Sequence, residues 1–322
     1  MNEIAADEDL LPVRVAGKRA VTPDLCLFEL VSEDGGELPE FDAGAHIAVR
    51  TPGGGMRQFS LCNDPAERDR YELGIKAERD GRGGSAGMVD TVEEGDRLLI
   101  EPPANDFPLA PAKKYLFIAG GIGITPILSM IRRIVREGEA SFRLVYCTRS
   151  RQDTPFLDVL AEPGIAEFVT LHHDGGDPER VFDFWDLFET PDSSEVYCCG
   201  PTPMMEEIRG VSGHWPQSAI HFEEFHSGVE AVREDDRAFV VVHAGSGERY
   251  EVGAGQTILE ALREQGVNLR SSCESGTCGT CRTKLVSGTP DHRDLMLMDE
   301  EKSDYVMVCV SRASSDELVL DW

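Results

Sequence analysis

The sequence predicts three domains in series: an antiparallel β-barrel, a doubly wound α/β domain with a parallel sheet, and a small β-grasp unit. Three observations predict this. Residues 1–108 hold short alternating runs broken by turn residues. Residues 109–228 switch to apolar runs that alternate with helical stretches. Residues 229–322 open with a polar linker and continue as a hairpin, a helix, a cysteine-rich loop and further strands.

In the first segment the runs are HIAVRT, RQFSLC, YELGIKAE and DRLLIEPP, separated by clusters such as TPGGGM and DGRGG. Many short strands between turn signals suit a small antiparallel barrel. The second segment has five apolar, β-branched or aromatic runs: YLFIAG, FRLVYCT, FVTLHHD, EVYCCG and IHFEEF. Its first helix starts at Thr125-Pro126, sets Ile127, Met130, Ile131, Ile134 and Val135 on one face, and stops before Gly138. Strands alternating with helices imply a parallel sheet. The stretch HSGVEAVREDDR (226–237) reads as a linker. In the third segment AFVVVHA and ERYEV form a hairpin over GSG. The helix TILEALREQG is capped by Thr257 with Glu260, and TKLVSG and LVLDW supply later strands.

Composition limits the function classes. The chain has 322 residues, 41% of them hydrophobic, enough for two or three cores. No apolar run approaches the roughly 20 residues that span a bilayer. The N-terminus, MNEIAADEDLLP, has neither the basic nor the apolar region of a signal peptide. Nine cysteines without a disulfide-scaffold pattern point to a reducing compartment and a metal site. A cytoplasmic protein without a membrane partner is the expectation. The formal charge of −28 argues against nucleic acid. Residues 237–322 carry 9 Lys/Arg against 14 Asp/Glu, a net −5, and the rest carry −23 (22 against 45). The acidity serves solubility or partner steering, and the cysteine-rich end is its least acidic part.

That end carries Cys273-x4-Cys278-x2-Cys281, and then Cys309. Plant-type [2Fe–2S] ferredoxins use this spacing. Three thiolates converge from one tight loop of small residues, and the fourth arrives from a distant element. Structural zinc is the alternative for a cysteine loop, with His292 a possible ligand. Zinc sites, however, pair one Cys-x2-Cys with a second pair.

YLFIAGGIGITPILSMI reads as strand, glycine turn, helix. Gly120, Gly121 and Gly123 would let the backbone approach a dinucleotide at a helix start. The pattern is not G-x-G-x-x-G, and tight strand–helix turns also need glycine for packing. Cys199-Gly200-Pro201 closes another strand at its carboxyl end, where open α/β sheets bind ligands. Taken alone Cys199 reads as a buried structural cysteine; beside a nicotinamide it is small enough to leave hydride approach open. In the barrel, Arg57-Gln58-Phe59-Ser60 offers an aromatic surface, a hydroxyl and a cation for a flavin. Gly81-Arg82-Gly83-Gly84-Ser85 offers a phosphate nest. Taken alone, both are ordinary strand and turn sequences. A nicotinamide gives up electrons in pairs and an iron–sulfur cluster takes them singly, so a flavin between them is expected.

RQFSLCNDP, GRGGS, AGGIGITPILSM, YCCGP, HFEEF, SSCESGTCGTC and VMVCVSRA, in this order, resemble the phthalate dioxygenase reductase family over nearly the whole chain. Its members include vanillate O-demethylase reductases and other reductase components of Rieske oxygenases. The resemblance implies FMN, held by Arg57, Phe59, Ser60 and the Arg82–Ser85 turn, with Gly74, Ile75 and Lys76 adding contacts. It implies that Thr125 reaches the flavin from the NAD domain and that Phe225 approaches the ring, with Glu224 beside it. Gly123 and Cys199 to Pro201 would flank the nicotinamide. The family usually has Tyr where this chain has Phe59, so stacking remains and a phenol hydroxyl is gone. Thr148-Arg149-Ser150-Arg151 could take a 2′-phosphate or form a solvated loop; the resemblance implies NADH. The function expected is an NADH-dependent reductase, monomeric by itself, passing electrons through FMN and the cluster to a Rieske-type non-haem iron oxygenase acting on an aromatic acid or a related small molecule. A cytochrome P450 or di-iron hydroxylase is the alternative acceptor, and a redox-sensing binding protein the reading from another class.

Overall fold

The computed structural model describes residues 10–52, 55–79, 83–225, 231–233, 235–267, 269–271, 274–276 and 279–322. The chain divides into two compact units, Leu10–Glu224 and Phe225–Trp322.

The first unit begins with strands β1 (Leu11–Thr22), β2 (Leu25–Ser32), β3 (His46–Arg50), β4 (Met56–Ser60) and β5 (Tyr71–Lys76). Helix α1 (Gly84–Thr91) and β6 (Arg97–Ile100) follow. The antiparallel order is β4-β3-β6-β1-β2-β5. A bridge between Leu61 and Leu73 joins the two ends of that order, which curls the sheet into a barrel. Alternate residues fill it: Val13, Val15, Phe28, Leu30, Ile47, Val49, Leu73 and Ile75 are buried together. The long β1–β2 hairpin escapes a simple alternation because its register shifts at Val15/Gly17 and Ala20/Thr22. Helix α1 is equally unannounced. Gly84, Ser85 and Gly87 are poor helix formers. The helix forms because it packs on the barrel, where Met88 and, just beyond its end, Val92 enter the core.

The same unit continues with β7 (Lys114–Gly120), α2 (Ile124–Glu137), β8 (Ser141–Thr148), α3 (Leu157–Leu160) and β9 (Val169–His173). It closes with α4 (Trp185–Phe188), β10 (Glu195–Cys199), α5 (Thr202–Val211) and β11 (Ile220–Glu223). The five strands are parallel in the order β11-β10-β7-β8-β9. The winding reverses between β7 and β10, which opens a crevice at their carboxyl ends. Tyr197 holds the junction with the barrel: its hydroxyl donates to Pro108 O at 2.9 Å and accepts from Ala110 N–H at 2.6 Å.

Helix α2 is buried on two sides. Ile127, Met130, Ile131 and Ile134 are buried as the periodicity predicts, but Val135 is 41% exposed. The second buried side is polar and grips the barrel. Ser129 donates to Asn63 O at 2.9 Å, Arg132 to Cys62 O at 2.9 Å and to Glu72 at 2.8 Å, and Arg136 to Asp64 at 2.9 Å. These residues follow helical spacing, so one face makes all four bonds.

In the second unit, β12 (Phe239–His243), β13 (Arg249–Val252), α6 (Ile258–Glu264), β14 (Arg282–Ser287), β15 (Pro290–Asp291), β16 (Tyr305–Met307), β17 (Arg312–Ala313) and β18 (Glu317–Asp321) follow in order. The mixed sheet runs β13-β12-β18-β14-β16, and β15 pairs with β17. Its parallel β12–β18 pair beside antiparallel neighbours, with α6 across it, is the β-grasp arrangement. Thr257 and Glu260 form the expected reciprocal cap of α6.

The linker ends inside this unit. Arg293 binds Asp236 and the carbonyl of Ala231, and the fully buried Arg312 binds Asp236 at 3.2 Å and donates to Arg237 O and Gly253 O at 3.0 Å. The Arg293 hydrogen bond holds Asp236 down to about 2.

The grip of α2 has a measurable weight. Arg132→Ala strips the donor from Cys62 O and removes one of the two guanidinium partners of the buried Glu72. It should cost the first unit about 2–3 kcal/mol in urea unfolding, whereas Arg133→Ala, whose partners lie at the surface, should cost less than about 1 kcal/mol.

Candidate functional site

The site starts at the barrel seam. Continuing the Leu61–Leu73 register brings Phe59-Ser60 at the end of β4 to Gly74-Ile75 of β5. Arg57 and Phe59 share a face of β4 by alternation. A side chain on Gly84 would meet the Arg57 guanidinium Nε at 2.9 Å, so Arg57 lies across the start of α1. Gly83 caps that helix in the left-handed region at φ 79°, and Ser85 Oγ accepts from Glu78 N–H at 3.1 Å. A guanidinium, a helix start and a hydroxyl therefore meet at one end of the seam, the donor set a phosphate needs. Arg82, assigned to the same nest, lies outside the described residues. Gln58 turns to His46 at 2.9 Å, and Lys76 sits between Asp24 and Glu78 at 3.9 and 3.3 Å.

The seam abuts the parallel sheet. A Cβ on Gly74 would lie 2.8 Å from the Thr125 methyl and 3.0 Å from Phe156. Thr125 is buried, its hydroxyl donating to Ile122 O at 3.0 Å, so its methyl is what meets β5. Thr125 thus joins the barrel strand to the turn that follows β7.

That turn has two kinds of glycine. A Cβ on Gly123 would sit 2.2 Å from the Cys199 carbonyl oxygen, and one on Gly120 would sit 2.5 Å from Pro201. Both positions exist to let the ends of β7 and β10 close on each other. Gly121 differs: its φ is +52°, no atom lies within 4 Å of a Cβ there, and the Tyr146 hydroxyl donates to its carbonyl at 2.8 Å. Gly121 and Pro201 line a cavity of about 340 Å³, with Thr148, Arg149, Asp153 and Asp174 on the β8–β9 side and Lys76 on the barrel side.

Cys199 ends β10 with its thiol buried and held well above the usual thiol range, first by burial and then by Glu223, Cys198 and Glu224. It stays protonated and neutral. Glu223 pairs with Cys199 in the β10–β11 register. Burial, reinforced by Asp106, pushes its carboxyl up to about 8, and among the described residues its Oε2 has no hydrogen-bond partner. The sequence reading missed this residue. Its signal is a Glu-Glu pair closing an apolar strand, whose members alternation sends to opposite faces. The other, Glu224, forms an ion pair with Arg209, whose guanidinium lies 4.4 Å from the centre of the Phe222 ring. Phe225 is the first residue of the second unit and is half-buried.

In the second unit, Cys281 and Cys309 are buried in one apolar cluster with Leu297, Val306 and Val310. Cys273 and Cys278 lie outside the described residues. Among those described, no group of three or more His, Cys, Asp or Glu side chains gathers round a metal position. Beside Cys273, Glu274 is buried at φ +50° and paired with Arg263 at 3.0 Å, with Ser271 donating to it at 3.1 Å. Two buried thiols in one apolar cluster suit iron–sulfur ligation. His292, the possible zinc ligand, is half-buried, its Nε2 against Lys302 O at 2.9 Å.

Known proteins match these sites. Residues 241–314 match the 2Fe-2S iron-sulfur cluster binding domain, and residues 117–166 the oxidoreductase NAD-binding domain. The chain is 46% identical to phthalate dioxygenase reductase of Burkholderia cepacia over 98% of both chains. It is 37% identical to vanillate O-demethylase oxidoreductase of Pseudomonas putida, over 95% of this chain and 98% of that one. A solved structure of phthalate dioxygenase reductase superposes with a TM-score of 0.89, covering 98% of this chain and 99% of that chain at 46% identity. A type IV self-sufficient cytochrome P450 monooxygenase matches at 35% identity and a TM-score of 0.72, covering 99% of this chain and 42% of that one.

Two outcomes check the geometry. Gly123→Ala should lower the melting temperature and abolish nucleotide binding in titrations, because backbone stands in its way. Gly121→Ala should fold at a cost of about 1–2 kcal/mol and weaken nucleotide binding. Glu223 keeps its proton up to about 8, against 4.5 for an ordinary Glu. As pH rises through that window the unfolded chain ionises first, so the folded state loses stability, and the loss is complete above about 8. Glu223→Gln should therefore match the native protein near pH 5 and melt higher at pH 9, by on the order of 3 kcal/mol.

Proposed function

The chain belongs to the phthalate dioxygenase reductase family, and on that footing we propose that it is the NADH-dependent reductase component of a Rieske-type oxygenase that acts on an aromatic acid. Electrons would run from NADH through FMN and the [2Fe–2S] cluster to that separate oxygenase. The observation that supports the reading is the Gly74–Thr125 contact, which joins strand β5 of the seam to the glycine turn after β7, the adjacency that a flavin and a nicotinamide would need. When bound, the nicotinamide supplies a hydride, the flavin takes electrons in pairs and releases them singly, and the cluster carries them one at a time.

The residues serve this as follows. Arg57, the Gly83–Ser85 turn and the start of α1 would hold the FMN phosphate, with Arg82 assigned to the same group. Phe59 supplies an aromatic surface, and Ser60 supplies a hydroxyl at the seam. Gly74 and Ile75 shape the opposite wall, with Lys76 at its end. Gly121 lets a dinucleotide lie against backbone, and Gly200-Pro201 closes the far side. Cys199, kept neutral, excludes water without adding charge where the nicotinamide would lie. Asp153 and Asp174 beside Arg149 favour a ribose hydroxyl over a 2′-phosphate, which supports NADH. Glu224 and Phe225 are proposed at the flavin edge. Cys273, Cys278, Cys281 and Cys309 would ligate the cluster.

No described helix is long and apolar enough to cross a membrane. A cytoplasmic setting is part of the proposal. The reductase is proposed to be monomeric when alone. The likeness to a self-sufficient P450 supports a second reading, in which a haem protein is the acceptor.

One set of assays separates these readings. The purified holoprotein should contain about two irons per chain and prefer NADH to NADPH in kcat/KM. Cys309→Ser should abolish cytochrome c reduction while sparing ferricyanide reduction. The native protein should drive product formation by a phthalate or vanillate oxygenase component. Turnover of a P450 but of neither oxygenase would establish the second reading, and a clear NADPH preference would overturn the choice of nucleotide.

A further inference from the structure

The second unit exposes a compact apolar patch. Leu295 is 64% exposed, Met296 48% and Met298 69%. Single exposed apolar residues are ordinary; three within four positions are not. The patch is built rather than frayed. Asp294 accepts from the backbone N–H of Met296 at 3.2 Å and of Leu297 at 2.7 Å, which fixes a turn. Leu297, between the exposed residues, is buried in the cluster that contains Cys281 and Cys309. Leu295 N–H donates to Gly276 O at 3.2 Å, within the loop between Cys273 and Cys278. Met296 atoms lie 3.6 and 3.7 Å from the position a Cβ would take on Gly279, the residue after Cys278. The turn is thus tied to the cysteine loop on one side and anchored beside the other two thiols on the other.

The chain that follows is acidic. Residues 299–304 hold Asp299, Glu300, Glu301 and Asp304 against Lys302 alone, a net −3. Lys302 is bound to Asp299 at 2.8 Å, and Glu301 to Arg282 at 3.0 Å. Glu300 and Asp304 are exposed. The unit as a whole is the less acidic part of the chain, but the stretch beside the cysteine loop is not.

We propose that Leu295, Met296 and Met298 form the docking surface for the oxygenase component, which would present an apolar contact ringed by basic side chains. This rests on the reading of the chain as an oxygenase reductase. An acceptor must seat close to the loop that carries the cysteines, and among the described residues the patch is an apolar surface tied to that loop through Gly276 and Gly279. Methionine side chains adapt to a partner without a rigid fit. A small apolar centre within a charged rim suits an encounter that forms and dissolves at each electron delivery. The acidic rim selects a basic face and speeds association at low salt.

The test uses the holoprotein, with the phthalate and vanillate oxygenase components as probes. Leu295→Ser/Met298→Ser and Met298→Ser are compared with the native chain by surface plasmon resonance, and the rate at which NADH reduces the cluster is followed by stopped flow. The double variant should weaken oxygenase binding about tenfold or more, with the cluster's EPR spectrum and its reduction by NADH unchanged, and native binding should fall as salt rises. Unchanged binding in both variants overturns the proposal. Slower reduction of the cluster with oxygenase binding intact assigns the patch to electron delivery within the chain and also overturns it. If the native protein binds neither oxygenase, the acceptor assignment fails, and the docking surface fails with it.

Discussion

One helix face holds the first unit's site together. The bonds from Ser129, Arg132 and Arg136 of α2 to the barrel residues 62–72 set where the parallel sheet stands against the barrel. The same helix begins at the glycine turn, with Thr125 in its first turn against Gly74. A shift of α2 along the barrel would therefore move the glycine turn relative to the β4–β5 seam by the same amount. For the hydride transfer proposed between them, little such slack is tolerable. The interaction is polar because it must be specific: an apolar face could slide, whereas three side chains at helical spacing fit one register.

The second unit solves a different problem. Its sheet is small, so buried charge stands in for core volume at its edge. Arg312 reaches from β17 to the carbonyls of Arg237 and Gly253, and with Arg293 it encloses Asp236. Breaking any one partner would leave buried charge unpaired, which is costly. The linker is accordingly part of this unit from Ala231 onward, where the Arg293 bond ends. A polar stretch with no apolar periodicity reads as a tether in sequence, yet two arginines far downstream incorporate it into a domain.

Much of this was legible in the residues. A strand with a clean period, such as FVVVH, and the Thr257–Glu260 cap state their structure locally. The parallel sheet followed from the alternation of strands and helices, and the cysteine spacing from the demands of a small metal cluster. What escaped depended on distant partners. The β1–β2 hairpin hides behind two bulges, and α1 exists only because the barrel takes Met88 and Val92. Val135 sits at the edge of the apolar stripe, where periodicity cannot say which side faces water. The turn glycines looked alike in sequence, and only the approach of Cys199 and Pro201 separates the packing positions from Gly121. Glu223 and Glu224 were equivalent until the β10–β11 register set one beside Cys199 and left the other to Arg209.

The protonated state of Cys199 has a consequence beyond geometry. Reducing equivalents crossing a flavin site in air generate peroxide as a by-product, and peroxide attacks thiolates, not thiols. Burial and the neighbouring carboxyls keep this sulfur in the form that does not react. The surroundings that keep this buried sulfur neutral thus also make it durable, sparing the end of β10 from leakage chemistry over many turnovers.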